Sequence, residues 1–84
     1  MNVTIETLEL FLKEANLNTY ANEEAEKAKS LRPGSHDYHF EKDDLTYHDT
    51  YFGGKKFIGE EIIYKSAVPV WGMNYHGFTI DDNI

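Results

Sequence analysis

Cysteine is absent from the 84 residues of this chain. Neither disulfides nor thiolate-bound metals can therefore supplement a small hydrophobic core. Long apolar runs are also absent, since no stretch approaches the roughly 18 residues that a membrane-spanning helix needs. Residues 1–4 contain no basic residue of the kind that begins a secretory signal peptide. These absences predict a cytoplasmic protein with no membrane association.

Positive charge is scarce. Eight Lys and Arg residues face 15 Asp and Glu residues, which leaves a formal net charge of −7. Such a charge repels the phosphate backbone of nucleic acids and anionic membrane surfaces. We therefore expect no direct nucleic-acid binding. The 40% hydrophobic and 27% charged composition is typical of a folded globule, and the length predicts a single small domain over residues 1–84.

The N-terminal segment has the spacing of an amphipathic helix. Its apolar residues recur every three or four positions, and Thr4 is placed to cap the first turn. This pattern predicts a helix over about residues 4–16, with an apolar stripe formed by Ile5, Leu8, Phe11, Leu12 and Ala15.

The chain changes character after this helix. A polar loop is expected over residues 17–36, because its middle offers almost no apolar face and Pro33-Gly34 ends any helix. A period of two then predicts a sheet over residues 37–80, with turns at residues 42–44 and 66–67. The predicted class is α+β, with the N-terminal amphipathic helix packed on an antiparallel β-meander of three to four strands.

The stretch YHDTYFGGKKFIGEE, residues 47–61, contains two adjacent glycines followed by two lysines. A Walker-type phosphate loop is not indicated, because its spacing is absent and no helix or Ser/Thr follows the lysines. Gly53-Gly54 instead favours a hairpin turn. A two-residue loop places Asp49 opposite Ile58, and a four-residue loop leaves the side assignment unchanged.

This hairpin predicts an aromatic face that contains two carboxylates. If residues 66–67 form a second two-residue turn, Glu60 lies opposite Met73 and shares a face with Asp49. Glu61 is expected on the other face, because neighbours on a strand alternate. The residues predicted to contact a ligand are Tyr47, Asp49, Tyr51, Glu60, Trp71 and Tyr75, with Arg32 nearby.

Several chemistries are compatible with that face. An Asp–Glu pair among aromatic residues suits acid/base catalysis, whereas carboxylates that merely accept hydrogen bonds from buried Tyr and Trp are commoner. Arg32 suits a carboxylate partner such as Asp49 or Glu60, or an anionic ligand, or is a solvated loop residue. His36 and His39 point to opposite faces of a strand, and His48 with His76 gives only two ligands. No metal site, cofactor or catalytic residue is therefore predicted.

Four segments together resemble a known bacterial family. They are NTYA at residues 18–21, LRPGS at 31–35, YHDTYFGGKKFIGEE at 47–61 and VWGMNYHG at 70–77. The family is described only as a domain of unknown function, found alone or C-terminal to an XRE-type helix-turn-helix. The resemblance implies a ligand-sensing or interaction module more than an enzyme. Ser66-Ala67 departs from the Asn-Gly-like turn of the family, and the related domains continue with further strands.

A shorter sheet leaves an unpaired edge and an uncovered aromatic face, which association buries. We therefore expect a homodimer. The expected function is a noncatalytic ligand-binding or interaction module with a regulatory role and a small-molecule or protein partner. The alternatives are a small hydrolase or lyase that uses Asp49 and Glu60, and an acidic protein that occupies the basic surface of a partner.

Overall fold

One helix and four strands make up the computed structural model, which describes residues 3–19 and 26–79. They are α1 (Ile5–Asn18), β1 (His36–Lys42), β2 (Leu45–Gly53), β3 (Lys56–Lys65) and β4 (Val68–Phe78). The strands form one antiparallel sheet in the order β1-β2-β3-β4. The predicted α+β class and antiparallel meander are confirmed. Predicted features at residues 20–25 and 80 lie outside the described residues.

The helix begins where its cap was predicted. Thr4 is extended, and its Oγ1 accepts a hydrogen bond of 3.1 Å from the Thr7 N–H, which satisfies one of the free donors of the first turn. The helix continues to Asn18, two residues beyond the predicted end. The buried Thr19 hydroxyl donates to the Ala15 carbonyl at 2.8 Å and so supports the last turn.

Two of the connections are tight turns, as predicted. The β3–β4 turn consists of Ser66 and Ala67, which both have positive φ (49° and 68°) although neither is glycine. Positive φ at both central residues is the conformation whose twist matches the twist of the flanking strands. The β1–β2 turn lies between the paired residues Lys42 and Leu45, with Asp43 at φ 57°.

The predicted register of the central hairpin is wrong by three residues for the two-residue loop and by one for the four-residue loop. Gly53 pairs with Phe57, so three residues, Gly54 to Lys56, separate the last paired residues of β2 and β3. Only Gly53 of the two glycines uses positive φ (96°). Because the side-chain period of a strand is two, a shift by an odd number of residues moves every side chain of β3 to the other face. Asp49 consequently lies opposite Glu61, not Ile58.

A β-bulge changes the register once more. Lys65 pairs with Val68 at the turn, but the pairing shifts between Ile63 and Tyr64. Beyond this point Met73 lies opposite Glu61, and the predicted pairing with Glu60 is wrong. The extra residue of a bulge displaces all later partners by one. This second shift offsets the first, so the residues of β4 that were predicted to share a face with Asp49 do share it.

The helix and the loop before β1 lie against opposite faces of the sheet. We call the first the helix face, because Phe11 and Ala15 form a buried cluster there with Tyr47 and Ile63. The Phe11 and Phe40 rings are 5.7 Å apart at their centroids. We call the second the Arg32 face, because the Arg32 guanidinium lies 5.1 Å above the Phe52 ring.

Among the described residues, those of the helix pack against only one end of the helix face. No helix within the described residues is long and apolar enough to cross a membrane.

Candidate functional site

A cavity of about 550 Å³ occupies the part of the helix face that the helix does not cover. This volume lies within the range of ordinary small-molecule sites. Aromatic and apolar side chains form most of the lining, together with two carboxylates and the backbone of the Gly53-Gly54 connection. The lining residues are Tyr38, Asp49, Tyr51, Gly53, Gly54, Phe57, Glu61, Met73 and Tyr75.

The two carboxylates belong to residues directly opposite each other on β2 and β3. Asp49 is 2% exposed and Glu61 is 5% exposed. Each accepts a hydrogen bond from a tyrosine: the Tyr75 hydroxyl donates to Asp49 Oδ1 at 2.6 Å, and the Tyr47 hydroxyl donates to Glu61 Oε2 at 2.7 Å. The short distances are typical of bonds to a charged acceptor. The pair is thus held on both sides by phenols.

Burial dominates the electrostatics of this pair. Burial, together with the neighbouring Glu61, raises the pKa of Asp49 from 3.8 to about 6, although the hydrogen bond from Tyr75 acts in the opposite direction. Burial and the hydrogen bond to Asp49 also raise the pKa of Tyr75. Tyr75 therefore keeps its proton and remains a donor. Asp49 gains or loses its proton just below neutral pH.

No ion pair among residues 3–19 and 26–79 involves Asp49 or Glu61. Two acidic groups are therefore buried side by side, and neither forms an ion pair within the described residues. An arrangement of this kind is unfavourable for the free protein, because buried charges are normally paired.

Gly59 makes the contact between Tyr75 and Asp49 possible. Tyr75 on β4 is paired with Gly59 on β3, and its ring must cross β3 to reach Asp49 on β2. A Cβ built on Gly59 would collide with the Tyr75 hydroxyl and lie 2.7 Å from the Thr50 carbonyl oxygen. Because Gly59 has no side chain, the Tyr75 ring can cross β3 and reach Asp49.

Replacement of Gly59 by Ala is expected to displace Tyr75 and break its hydrogen bond to Asp49. We expect a loss of about 1–3 kcal/mol in the free energy of unfolding, the usual effect of overpacking. Urea denaturation measures this loss. Gly54→Ala is the matched control, because a Cβ there meets no atom within 4 Å and its φ is not positive. Equal stability of the two variants would contradict this role of Gly59.

The structure separates the predicted site residues. Asp49, Tyr51 and Tyr75 line the cavity. Glu60 does not, because the register places it on the Arg32 face opposite Thr50, and its predicted pairing with Asp49 is wrong. Arg32 lies on that same face.

The other predicted residues lie outside the cavity lining. The Arg32 Nη2 atom is 4.0 Å from Glu60 Oε1, and both side chains are about half exposed, so this pair contributes little to stability. Tyr47 is fully buried and reaches the site only through its hydroxyl on Glu61. Trp71 packs against the hydrophobic cluster beside the helix.

A second polar cluster surrounds Asp37 near the Arg32 face. Asp37 is fully buried and accepts hydrogen bonds from the hydroxyls of Ser35 and Thr50, both at 2.6 Å. It also contacts His48 Nε2 at 2.8 Å and accepts the Leu31 N–H at 3.2 Å. Burial opposes its ionisation, but the hydrogen bonds prevail and hold the pKa of Asp37 well below its usual range. The cluster ties the loop before β1 to the sheet.

The histidines meet in a pair that the sequence reasoning did not consider. His39 and His48 are cross-strand partners with 3.2 Å between their Nδ1 atoms, and His39 Nε2 lies 3.1 Å from Glu41 Oε2. In the described part of the chain, no three His, Asp or Glu side chains are grouped so that they could hold a metal ion.

Sequence reasoning missed four residues that line the cavity: Tyr38, Phe57, Glu61 and Met73. Tyr38 could have been found, because a two-residue turn at Asp43-Asp44 places it opposite Asp49. Met73 was assigned to the correct face but not to the site. Phe57 and Glu61 required the three-residue connection, which the glycine pair alone does not specify.

Comparison with known proteins adds one similarity. Residues 49–84, less than half of the chain, match the model of a family described as a domain of unknown function, DUF5680. The matched segment contains Asp49, Glu61 and Tyr75. No curated protein and no solved structure matches the chain. The predicted resemblance to a family of unknown function is thus confirmed over residues 49–84.

Proposed function

We propose that this chain is a noncatalytic ligand-binding module whose cavity takes a small organic cation. One observation carries the proposal: Asp49 and Glu61 are buried opposite each other in an open cavity, and no ion pair within residues 3–19 and 26–79 neutralises them. A positively charged group placed between them supplies the missing partner. It turns an unfavourable burial of like charges into a paired one.

The aromatic walls of the cavity favour a ligand that is both positively charged and partly apolar. Phe57 and Tyr75 lie 6.3 Å apart at their ring centroids, and Tyr38 stacks with Tyr51 at 6.5 Å. Aromatic faces attract cations and also bury apolar surface. The cavity therefore favours a compact amine or quaternary ammonium that carries an apolar group.

The charge requirement is tested with a matched pair of probes. Benzylammonium and benzyl alcohol have similar shapes, but only the first is positively charged. In a titration followed by amide NMR, we expect benzylammonium to shift the resonances of β2, β3 and β4 around the cavity and benzyl alcohol to leave them unchanged. Equal binding of the two probes, or shifts confined to other parts of the chain, would contradict the proposal.

Adjacent glutamates provide the control variants. Glu61→Gln removes a charge from the cavity, whereas Glu60→Gln removes the same charge from the opposite face. We expect the first substitution to weaken benzylammonium binding by about tenfold or more, as for a lost buried ionic contact. The second should have almost no effect. If both variants bind equally well, Glu61 is not a ligand-binding residue.

A second function is supported by the protonation behaviour of Asp49. A carboxyl whose pKa is raised to about 6 exchanges protons near neutral pH, which suits a general acid or base. The chain would then be a small hydrolase or lyase in which Glu61, not Glu60, accompanies Asp49.

Native mass spectrometry of freshly purified protein separates the two functions. A binding module retains a basic compound unchanged on incubation, whereas an enzyme converts or releases it. Conversion that is lost in Asp49→Asn and kept in Glu60→Gln would favour catalysis.

A further inference from the structure

The two edges of the sheet differ in their protection. The edge strand β1 carries Asp37, Glu41 and Lys42, and the bridge between Ala28 and Asp37 covers part of it. The edge strand β4 has eleven residues, VPVWGMNYHGF, and none of them is Asp, Glu, Lys or Arg. No strand within the described residues pairs with its outer edge.

Natural proteins protect exposed edges with charges, prolines, bulges or short strands. In β4 both the proline, Pro69, and the bulge opposite Ile63/Tyr64 lie near the turn. From Trp71 to Gly77 none of these devices interrupts the strand. This segment is therefore free to pair with another strand.

The same segment is complementary to itself in size. In an antiparallel pairing of two copies centred on Asn74, Trp71 lies opposite Gly77 and His76 lies opposite Gly72. Met73 lies opposite Tyr75, whose ring points away from the pairing edge, over Gly59 towards Asp49. Trp71 and His76 each meet a glycine, and no like charges face each other.

We infer that two copies of this chain associate through β4, with a twofold axis at Asn74, to form a continuous eight-stranded sheet. The pairing is isologous, as expected for a homodimer. It keeps the helix faces of both copies on one side, because residues that lie opposite each other share a face. Met73 and Tyr75 line the cavity of each copy, so the two cavities become neighbours across the axis.

The inference is tested by opposite charges at the axis. Asn74 is exposed in the single chain, so substitution there spares the core. We expect the wild-type chain to have twice its monomer mass by light scattering at tens of micromolar. Asn74→Lys and Asn74→Glu should each weaken dimerisation by about tenfold or more, because like charges then meet in the interface. An equimolar mixture of the two variants should recover a dimer that contains one copy of each.

The mixture distinguishes a lost interface from a damaged fold, since two misfolded variants do not restore each other. A wild-type chain of monomeric mass would overturn the inference. So would Asn74 variants that dimerise as well as the wild type, or a mixture that forms no heterodimer in native mass spectrometry.

Discussion

Replacement of Asp49 by Asn is expected to stabilise the folded chain at neutral pH and to weaken its binding of organic cations. Asparagine keeps the size of the side chain and an oxygen that accepts the Tyr75 hydroxyl, but it removes a buried charge. Its folded pKa of about 6 exceeds the ordinary value of 3.8, so at pH 7 the ionised group costs up to about 3 kcal/mol of folding free energy. Each kcal/mol gained corresponds to a melting temperature higher by roughly 4–8 °C.

The pH dependence of this difference has a definite sign. Between pH 4 and 6 the folded state holds the Asp49 proton more tightly than the unfolded state, so the wild-type chain loses stability as the pH rises through this window. Asp49→Asn lacks this group. The stability difference should therefore grow from pH 4 to about pH 6 and stay constant above it, as measured by urea denaturation at several pH values.

The Asp49→Asn variant is expected to be more stable and to bind organic cations more weakly only if Asp49 is a ligand-binding residue. A purely structural hydrogen-bond acceptor would stabilise the fold, and its replacement would not raise the free energy of unfolding. Unfavourable charges that persist in a folded protein are characteristic of functional sites. An Asp49→Asn variant that is less stable than the wild type at pH 7, or that binds benzylammonium equally well, would contradict this interpretation.

Replacement of Asp37 by Ala is expected to have the opposite effect, a loss of about 3 kcal/mol or more in the free energy of unfolding. The substitution leaves the donors of Ser35, Thr50 and His48 without their acceptor, and unpaired buried donors are costly. This loss is a large part of the total stability of a small domain. Chemical denaturation at pH 7 measures it.

Glu41→Ala is the matched control, because Glu41 lies on the same strand and face but is exposed. It should change the free energy of unfolding by no more than about 0.5 kcal/mol. The folded pKa of Asp37 is lowered, so its stabilisation is complete above the unfolded pKa near 3.8 and is lost as the pH falls below that value. Equal stability of the two variants at pH 7 would show that the Asp37 cluster contributes little.

The two aspartates show how similar residues acquire opposite roles. Both are buried on strands that pair with each other, and both accept a hydroxyl hydrogen bond of 2.6 Å. Asp37 has four partners and is held as a satisfied anion, whereas Asp49 accepts the Tyr75 hydroxyl and has an acidic neighbour. The first arrangement supports the fold. The arrangement around Asp49 suits a cation-binding site.

Local patterns determined much of this protein. The spacing of apolar residues predicted the helix, Thr4 its cap, and the period of two the strands. The turns at residues 42–44 and 66–67 were also predicted, because short polar connections between alternating segments leave few other solutions. The period of two also placed Asp49 and Tyr51 on one face, whereas Tyr75 was placed there correctly only because the two register errors offset each other.

Only the tertiary structure decided which glutamate shares a face with Asp49, Tyr51 and Tyr75. The pairing of Gly53 with Phe57 shifts the predicted register of β3 by an odd number of positions, and the bulge at Ile63/Tyr64 shifts that of β4 by one. A shift of one turns a strand over, so Glu61 enters the cavity and Glu60 leaves it. The residue pairs Gly53-Gly54 and Glu60-Glu61 are compatible with either register. The choice depends on contacts between distant residues, such as Ile63 in the helix cluster and Tyr75 across Gly59, which no local pattern contains.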